Sequence, residues 1–83
     1  MKLASLVSKT VWLLERENTP WTKKTGYDLL RAMAVVGQGE NAGEILSEIR
    51  EYIVTQRDHG ANPEIVDLAS RGLNAIELLN ETA

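Results

Sequence analysis

Two closely spaced helix boundaries in the second half of the chain constrain its fold more than any other feature. Apolar residues recur at helical spacing from position 45 onwards, and the pattern stops at Gly60, a residue that readily takes the left-handed conformation that ends helices. A new helix is predicted to begin directly afterwards, with Asn62 as its N-cap and Pro63 at its first position. The stretch Asn41–Asn80 is therefore predicted to form an antiparallel helical hairpin.

The two helices of this hairpin are predicted to cover 42–58 and 63–80. Asn41 and Glu44 have the spacing of a capping box at the start of the first of them. Gly72 lies in the middle of the broad apolar stripe of the second. Glycine inside a helix costs about 1 kcal/mol relative to alanine, so its position on the buried side predicts that another backbone passes close to it.

Two further helices are predicted in the first half of the chain. The first covers about 2–16, and its apolar stripe is formed by Leu3, Leu6, Val7, Val11 and Leu14. The second runs to Val36, but the sequence allows a start either at Pro20 or near Tyr27. Residues 1–83 are thus expected to form one all-α domain, a small four-helix bundle built on the C-terminal hairpin.

The composition excludes several classes of site. Cysteine is absent and the chain has one histidine, so we expect no disulfide, no cysteine zinc site and no thiol nucleophile. Phenylalanine is absent and aromatic residues make up 5% of the chain, so the core is predicted to be aliphatic. No stretch reaches the roughly 20 apolar residues that span a bilayer, and a cytoplasmic protein without membrane contact is expected.

The charge is divided unevenly along the chain. Residues 1–36 contain six Lys and Arg against three Asp and Glu, whereas residues 37–83 contain three against nine. Residues 1–36 therefore carry a net charge of about +3, and residues 37–83 carry a net charge of about −6. This split favours pairing within the fold or between subunits and disfavours binding to nucleic acid.

An acidic pattern is the only arrangement that suggests catalysis. Glu48 and Glu51 are followed on the next predicted helix by Glu64 and Asp67, giving E-x-x-E and E-x-x-D. This pattern resembles the metal-binding signature of the all-α nucleotide pyrophosphohydrolases, the MazG-like family. The resemblance implies that the four carboxylates bind Mg²⁺, which bridges to a nucleoside triphosphate. Four acids on solvated helix faces are the alternative interpretation.

Several apolar side chains point away from the predicted stripes: Trp12, Val35, Val54 and Leu78. Trp12 either packs against a neighbouring helix or loop or serves as an anchor in an interface, and the sequence leaves both interpretations open. Val54 and Leu78 are the candidates for self-association, as in a homodimer.

The second helix carries a basic and aromatic line that suits an anionic partner. Tyr27 and Arg31 follow one another at helical spacing with Lys24 beside them, although a solvated face has the same pattern. With Trp12, these three residues form the predicted partner-binding set.

No catalytic residue, metal or cofactor is predicted in the main hypothesis, which is a regulator, adaptor or inhibitor that binds a larger protein. A phage or mobile element is the expected kind of source. The Mg²⁺-dependent pyrophosphohydrolase is the alternative, and a small ligand bound in a groove between subunits is a third hypothesis.

Overall fold

The computed structural model describes residues 3–82, which form an all-α bundle measuring 34 × 22 × 17 Å. Its four helices are α1 (Leu3–Glu17), α2 (Pro20–Gly37), α3 (Gly43–Asp58) and α4 (Pro63–Thr82). The predicted four-helix architecture is confirmed. Among the described helices, none is both long enough and apolar enough to cross a membrane.

The bundle is flattened, with α2 and α4 packed against each other at its centre. Both α1 and α3 pack against α2 and α4, but no described residue of α1 approaches α3 within 8 Å between Cα atoms. The surface therefore divides into four faces, one between each pair of neighbouring helices. The α1–α2 face is opposite the α3–α4 face, and the α2–α3 face is opposite the α4–α1 face.

The predicted C-terminal hairpin is confirmed, and its turn has the expected chemistry. Gly60 has a φ of 84°, in the left-handed region where a glycine has no Cβ to clash. The Asn62 side chain then accepts a hydrogen bond from the Glu64 amide at 3.0 Å, and Pro63 is the first residue of α4.

The structure places the start of α2 at Pro20, which resolves the choice left open by the sequence. Thr19 and Thr22 form a capping box, in which the Thr22 amide donates to Thr19 Oγ1 and the Thr19 amide donates to Thr22 Oγ1 at 2.9 Å. Asn18 has a φ of 45° and reverses the chain between α1 and this cap. The helix then continues without a break past Tyr27.

The capping box predicted for α3 is wrong. Asn41 Oδ1 accepts from the Gly43 amide at 2.9 Å and not from Glu44, and the N-cap position is Ala42, which has no side-chain cap. The other end of the hairpin supplies the missing acceptor, because Asn80 Oδ1 accepts from the Ala42 amide at 3.2 Å and Asn80 Nδ2 donates to Asn41 Oδ1 at 3.3 Å. Asn80 thus joins the end of α4 to the start of α3.

The core is aliphatic, as predicted, but α1 contributes a different stripe. Its buried residues are Leu6, Thr10 and Leu13, whereas Val7 and Val11 are each 39% exposed. The buried Thr10 hydroxyl donates to the Leu6 carbonyl at 2.8 Å, which satisfies it without a partner from another helix. The structure selects this stripe because α1 must contact α2 and α4 at the same time.

The prediction of a close backbone approach at Gly72 is also wrong. A Cβ built there would lie 3.8 Å from Leu29 Cδ1, an ordinary van der Waals distance. The tight position is Gly26 in α2, where a Cβ would lie 2.6 Å from Leu14 Cγ and closer still to one of its methyl groups. Gly26 is therefore the glycine that permits two helices, α1 and α2, to pack closely.

Candidate interaction surfaces

We use the name α1–α2 face for Val7 and Val11 of α1 together with Lys23, Tyr27 and Arg31 of α2. Arg31 is the member furthest from α1, because it lies one turn beyond Tyr27 on the outer side of α2, next to Lys24 around the helix. Tyr27 is 66% exposed, and both valines are more than one-third exposed. Within the described residues, neither Lys23 nor Arg31 forms an ion pair. The face therefore combines an apolar row on one helix with an aromatic ring and cations on the next.

Two contacts fix how the helices of this face are aligned. Gly26 lies against Leu14, and Gly37 lies near Leu3, so the antiparallel register sets Val11 level with the turn of α2 that contains Tyr27 and Arg31. At about 100° per residue, Val7 and Val11 fall within roughly 60° of Leu14 around α1. They consequently flank the seam with α2 on its solvent side.

The α2–α3 face holds Lys24, which is already engaged within the molecule. Its Nζ lies 2.6 Å from Asp28 Oδ2 and 4.9 Å from the centre of the Tyr52 ring on α3. The hydrogen bond to Asp28 raises the pKa of Lys24 above its ordinary value, so the charge is retained in this pair.

Trp12 lies on the α4–α1 face, apart from the other predicted contact residues. It is 42% exposed, and the Arg16 guanidinium stacks over its ring at 4.7 Å. Arg16 also donates two hydrogen bonds to the Glu64 carboxylate on α4, at 2.7 and 2.8 Å. These bonds hold the pKa of Glu64 below its ordinary value and raise that of Arg16.

The two residues predicted for self-association are both exposed, Val54 on α3 and Leu78 on the outer side of α4. Val54 on α3 is 38% exposed and Leu78 on α4 is 65% exposed. An ion pair between Arg50 and Glu77 joins the two helices. Val35, the remaining apolar residue without an assigned place, is half-buried against the core.

The four acids of the pyrophosphohydrolase-like pattern do not meet. Glu48 and Glu51 border a shallow groove with Tyr52 on the α2–α3 face, whereas Glu64 pairs with Arg16 on the α4–α1 face. Within residues 3–82, no group of three or more acidic or histidine side chains is arranged to hold a metal ion. The expectation that these carboxylates converge, which the resemblance implied, is wrong because their helices are turned in different directions.

The structure thus distributes the predicted partner-binding set over three faces. Tyr27 and Arg31 lie together on the α1–α2 face, while Lys24 and Trp12 lie on the α2–α3 and α4–α1 faces. The exposed Val7 and Val11 beside Tyr27 were missed because the sequence placed them in the core stripe. Helical spacing alone carried no signal for their exposure, since several stripes of α1 have a similar apolar content.

Comparison with known proteins yields no relatives. No protein-family model matches the chain, and neither a curated protein nor a solved structure matches it.

Proposed function

We propose that this protein is a small interaction module that regulates, adapts or inhibits a larger protein partner, which it binds through the α1–α2 face. The observation that carries the proposal is the exposure of Val7, Val11 and Tyr27 on two adjacent helices. Tyrosine and arginine are enriched among residues that dominate binding energy, and exposed aliphatic side chains beside them supply area to bury.

The charges of this face indicate what the partner presents. Glu15 is exposed and continues the row of Val7 and Val11 along α1, so this row ends in a negative charge. Arg31 lies at the other end of the face and has no ion pair within the described residues. The partner surface should therefore be apolar at its centre and carry an acidic group opposite Arg31.

The function is tested with two variants of the face and one control. Arg31→Glu and Tyr27→Ala change exposed side chains and should leave helicity and thermal unfolding unchanged. Arg57→Glu makes the same charge change on α3, where the Arg57 side chain is 61% exposed and, among residues 3–82, has Asp58 as its one ion-pair partner. Partners captured from a cell lysate by the tagged wild type are identified by mass spectrometry, and the purified partner is then titrated against all variants.

We expect each face variant to weaken binding tenfold or more, with the Arg57→Glu protein binding as the wild type does. Equal affinity of all four proteins for the partner would refute the α1–α2 face as the binding surface. Self-association through Val54 and Leu78 is separately measured by sedimentation velocity with Val54→Glu and Leu78→Glu. A cytoplasmic site of action and a phage or mobile-element origin belong to this proposal as its expected setting.

A further inference from the structure

A cavity of about 310 Å³ lies between α1, α2 and α4, and the partner-binding proposal does not use it. Its walls are formed by apolar side chains from all three helices, together with Gly72 and Thr10. The apolar wall residues are Leu6, Leu13, Leu29, Leu68 and Ala69. Two charged residues, Lys9 and Arg71, complete the lining.

The cavity meets solvent at its two cations. Among the described residues of the lining, Lys9 and Arg71 are exposed and all the others are buried or half-buried. Lys9 and Leu68 also border an open patch that Trp12 lines on the same face of the bundle. The mouth of the cavity is therefore basic, and an aromatic ring lies beside it.

The interior offers almost no hydrogen bonds to a ligand. The Thr10 hydroxyl is the one side-chain polar group in the walls, and it already donates to the Leu6 carbonyl. A sugar or nucleobase would lose its hydrogen bonds to water on entering and find no replacements. An apolar group enters without that cost and is favoured by the area it buries.

We propose that the cavity binds an amphipathic carboxylate, with its hydrocarbon chain inside and its carboxylate between Lys9 and Arg71. The volume is about twice the roughly 150 Å³ that accommodates benzene in an apolar protein cavity, so it fits about a dozen non-hydrogen atoms. This corresponds to a medium-chain fatty acid such as decanoate.

Asp67 is the residue that competes with this ligand. Its Oδ2 lies 3.0 Å from Arg71 Nε, and the side chains of both residues are well exposed. An exposed ion pair one helical turn apart contributes little, so a ligand carboxylate can replace Asp67 as the partner of Arg71. Lys9 has no ion pair within the described residues, and its charge is available.

The proposal is tested by NMR titration of ¹⁵N-labelled protein with decanoate and with decanol, which differs in lacking the charge. We expect decanoate to shift the resonances of Leu13, Leu29 and Gly72, and to bind at least fivefold more tightly than decanol. Lys9→Glu should weaken the binding of decanoate at least fivefold without affecting the binding of decanol. Asp67→Asn should strengthen the binding of decanoate. Lys23→Glu on the α1–α2 face should leave the affinity for both ligands unchanged.

A variant whose side chain fills the cavity distinguishes ligand binding inside the cavity from non-specific binding to the protein surface. Gly72→Leu places a side chain beside Leu29 and should abolish binding of both ligands. Its thermal unfolding and NMR spectrum establish that it folds, and Lys9→Glu provides an independent test at the exposed rim. Equal affinity for decanoate and decanol, shifts that spread over all four faces, or binding that persists in the Gly72→Leu protein would each overturn the proposal.

Discussion

Gly72→Ala should stabilise the protein, and Gly26→Ala should not, although both glycines lie inside helices. The new methyl group at position 72 meets only Leu29 Cδ1, at 3.8 Å, and so requires no displacement. Replacing a helical glycine with alanine is worth about 1 kcal/mol, because alanine loses less backbone entropy on folding. For a domain of 60–100 residues, that gain raises the Tm by about 4–8 °C.

The same propensity gain at Gly26 is opposed by a clash. Its new Cβ would lie 2.6 Å from Leu14 Cγ, so Leu14 must change rotamer or α1 must move away from α2. Overpacking of this kind costs about 1–3 kcal/mol. The net effect of Gly26→Ala should therefore lie between neutral and about 2 kcal/mol destabilising.

The assay is urea unfolding at neutral pH, followed by circular dichroism at 222 nm, with the wild type and both variants measured together. An unchanged m-value shows that the difference in midpoint reports stability. If Gly72→Ala proved destabilising by 1 kcal/mol or more, a backbone would have to pass close to Gly72, and the packing of α4 against α2 described above would be refuted.

Four further changes test the polar contacts of the bundle. Among the described residues, the buried Thr25 hydroxyl has no hydrogen-bond partner, so Thr25→Val should stabilise the protein by about 1 kcal/mol in urea unfolding. Thr22→Val breaks the cap of α2 and should destabilise the protein by about 1 kcal/mol. Asn80→Ala should destabilise the protein by about 1–2 kcal/mol and speed amide hydrogen exchange at the start of α3. Unchanged exchange there would contradict the role of Asn80 in joining the end of α4 to the start of α3. Because Arg16 lowers the pKa of Glu64, the pair contributes its full stability above the ordinary carboxyl value of 4.5, and this contribution is lost as the pH falls through the lowered pKa. Glu64→Gln should therefore lower the free energy of unfolding at pH 7, and the difference from the wild type should shrink as the pH is lowered below 4.5.

Helix ends were the most predictable feature because their signals are local. The chain reversal at Gly60 and the start of α4 at Asn62-Pro63 depend on conformational preferences of a few adjacent residues, and the structure reproduces them. The capping box predicted for α3 was wrong because the real contact is not local. The Ala42 amide donates to Asn80, which is 38 residues away, and no pattern of adjacent residues predicts such a partner.

The candidate surfaces were predicted only in part. Tyr27 and Arg31 are neighbours because they lie four residues, or about one turn, apart on the same helix, and this spacing can be read from the sequence. Trp12 and Lys24 belong to other faces because Trp12 lies on the side of α1 near α4, beside Arg16, and Lys24 lies on the side of α2 that faces Tyr52 of α3. The cavity between three helices was not predictable, since its lining combines residues from distant parts of the chain.

The sequence by itself determined four helices, the turn between α3 and α4, and an aliphatic core, because capping residues and apolar periodicity act over one or two turns. The tertiary structure alone decided how each helix is rotated about its axis. That rotation buries Leu13 and exposes Val11, and it turns the acids of α3 away from those of α4. The physical reason is that a helix with several similar apolar stripes takes its orientation from the neighbours it must contact, and those neighbours are set by packing across the whole bundle.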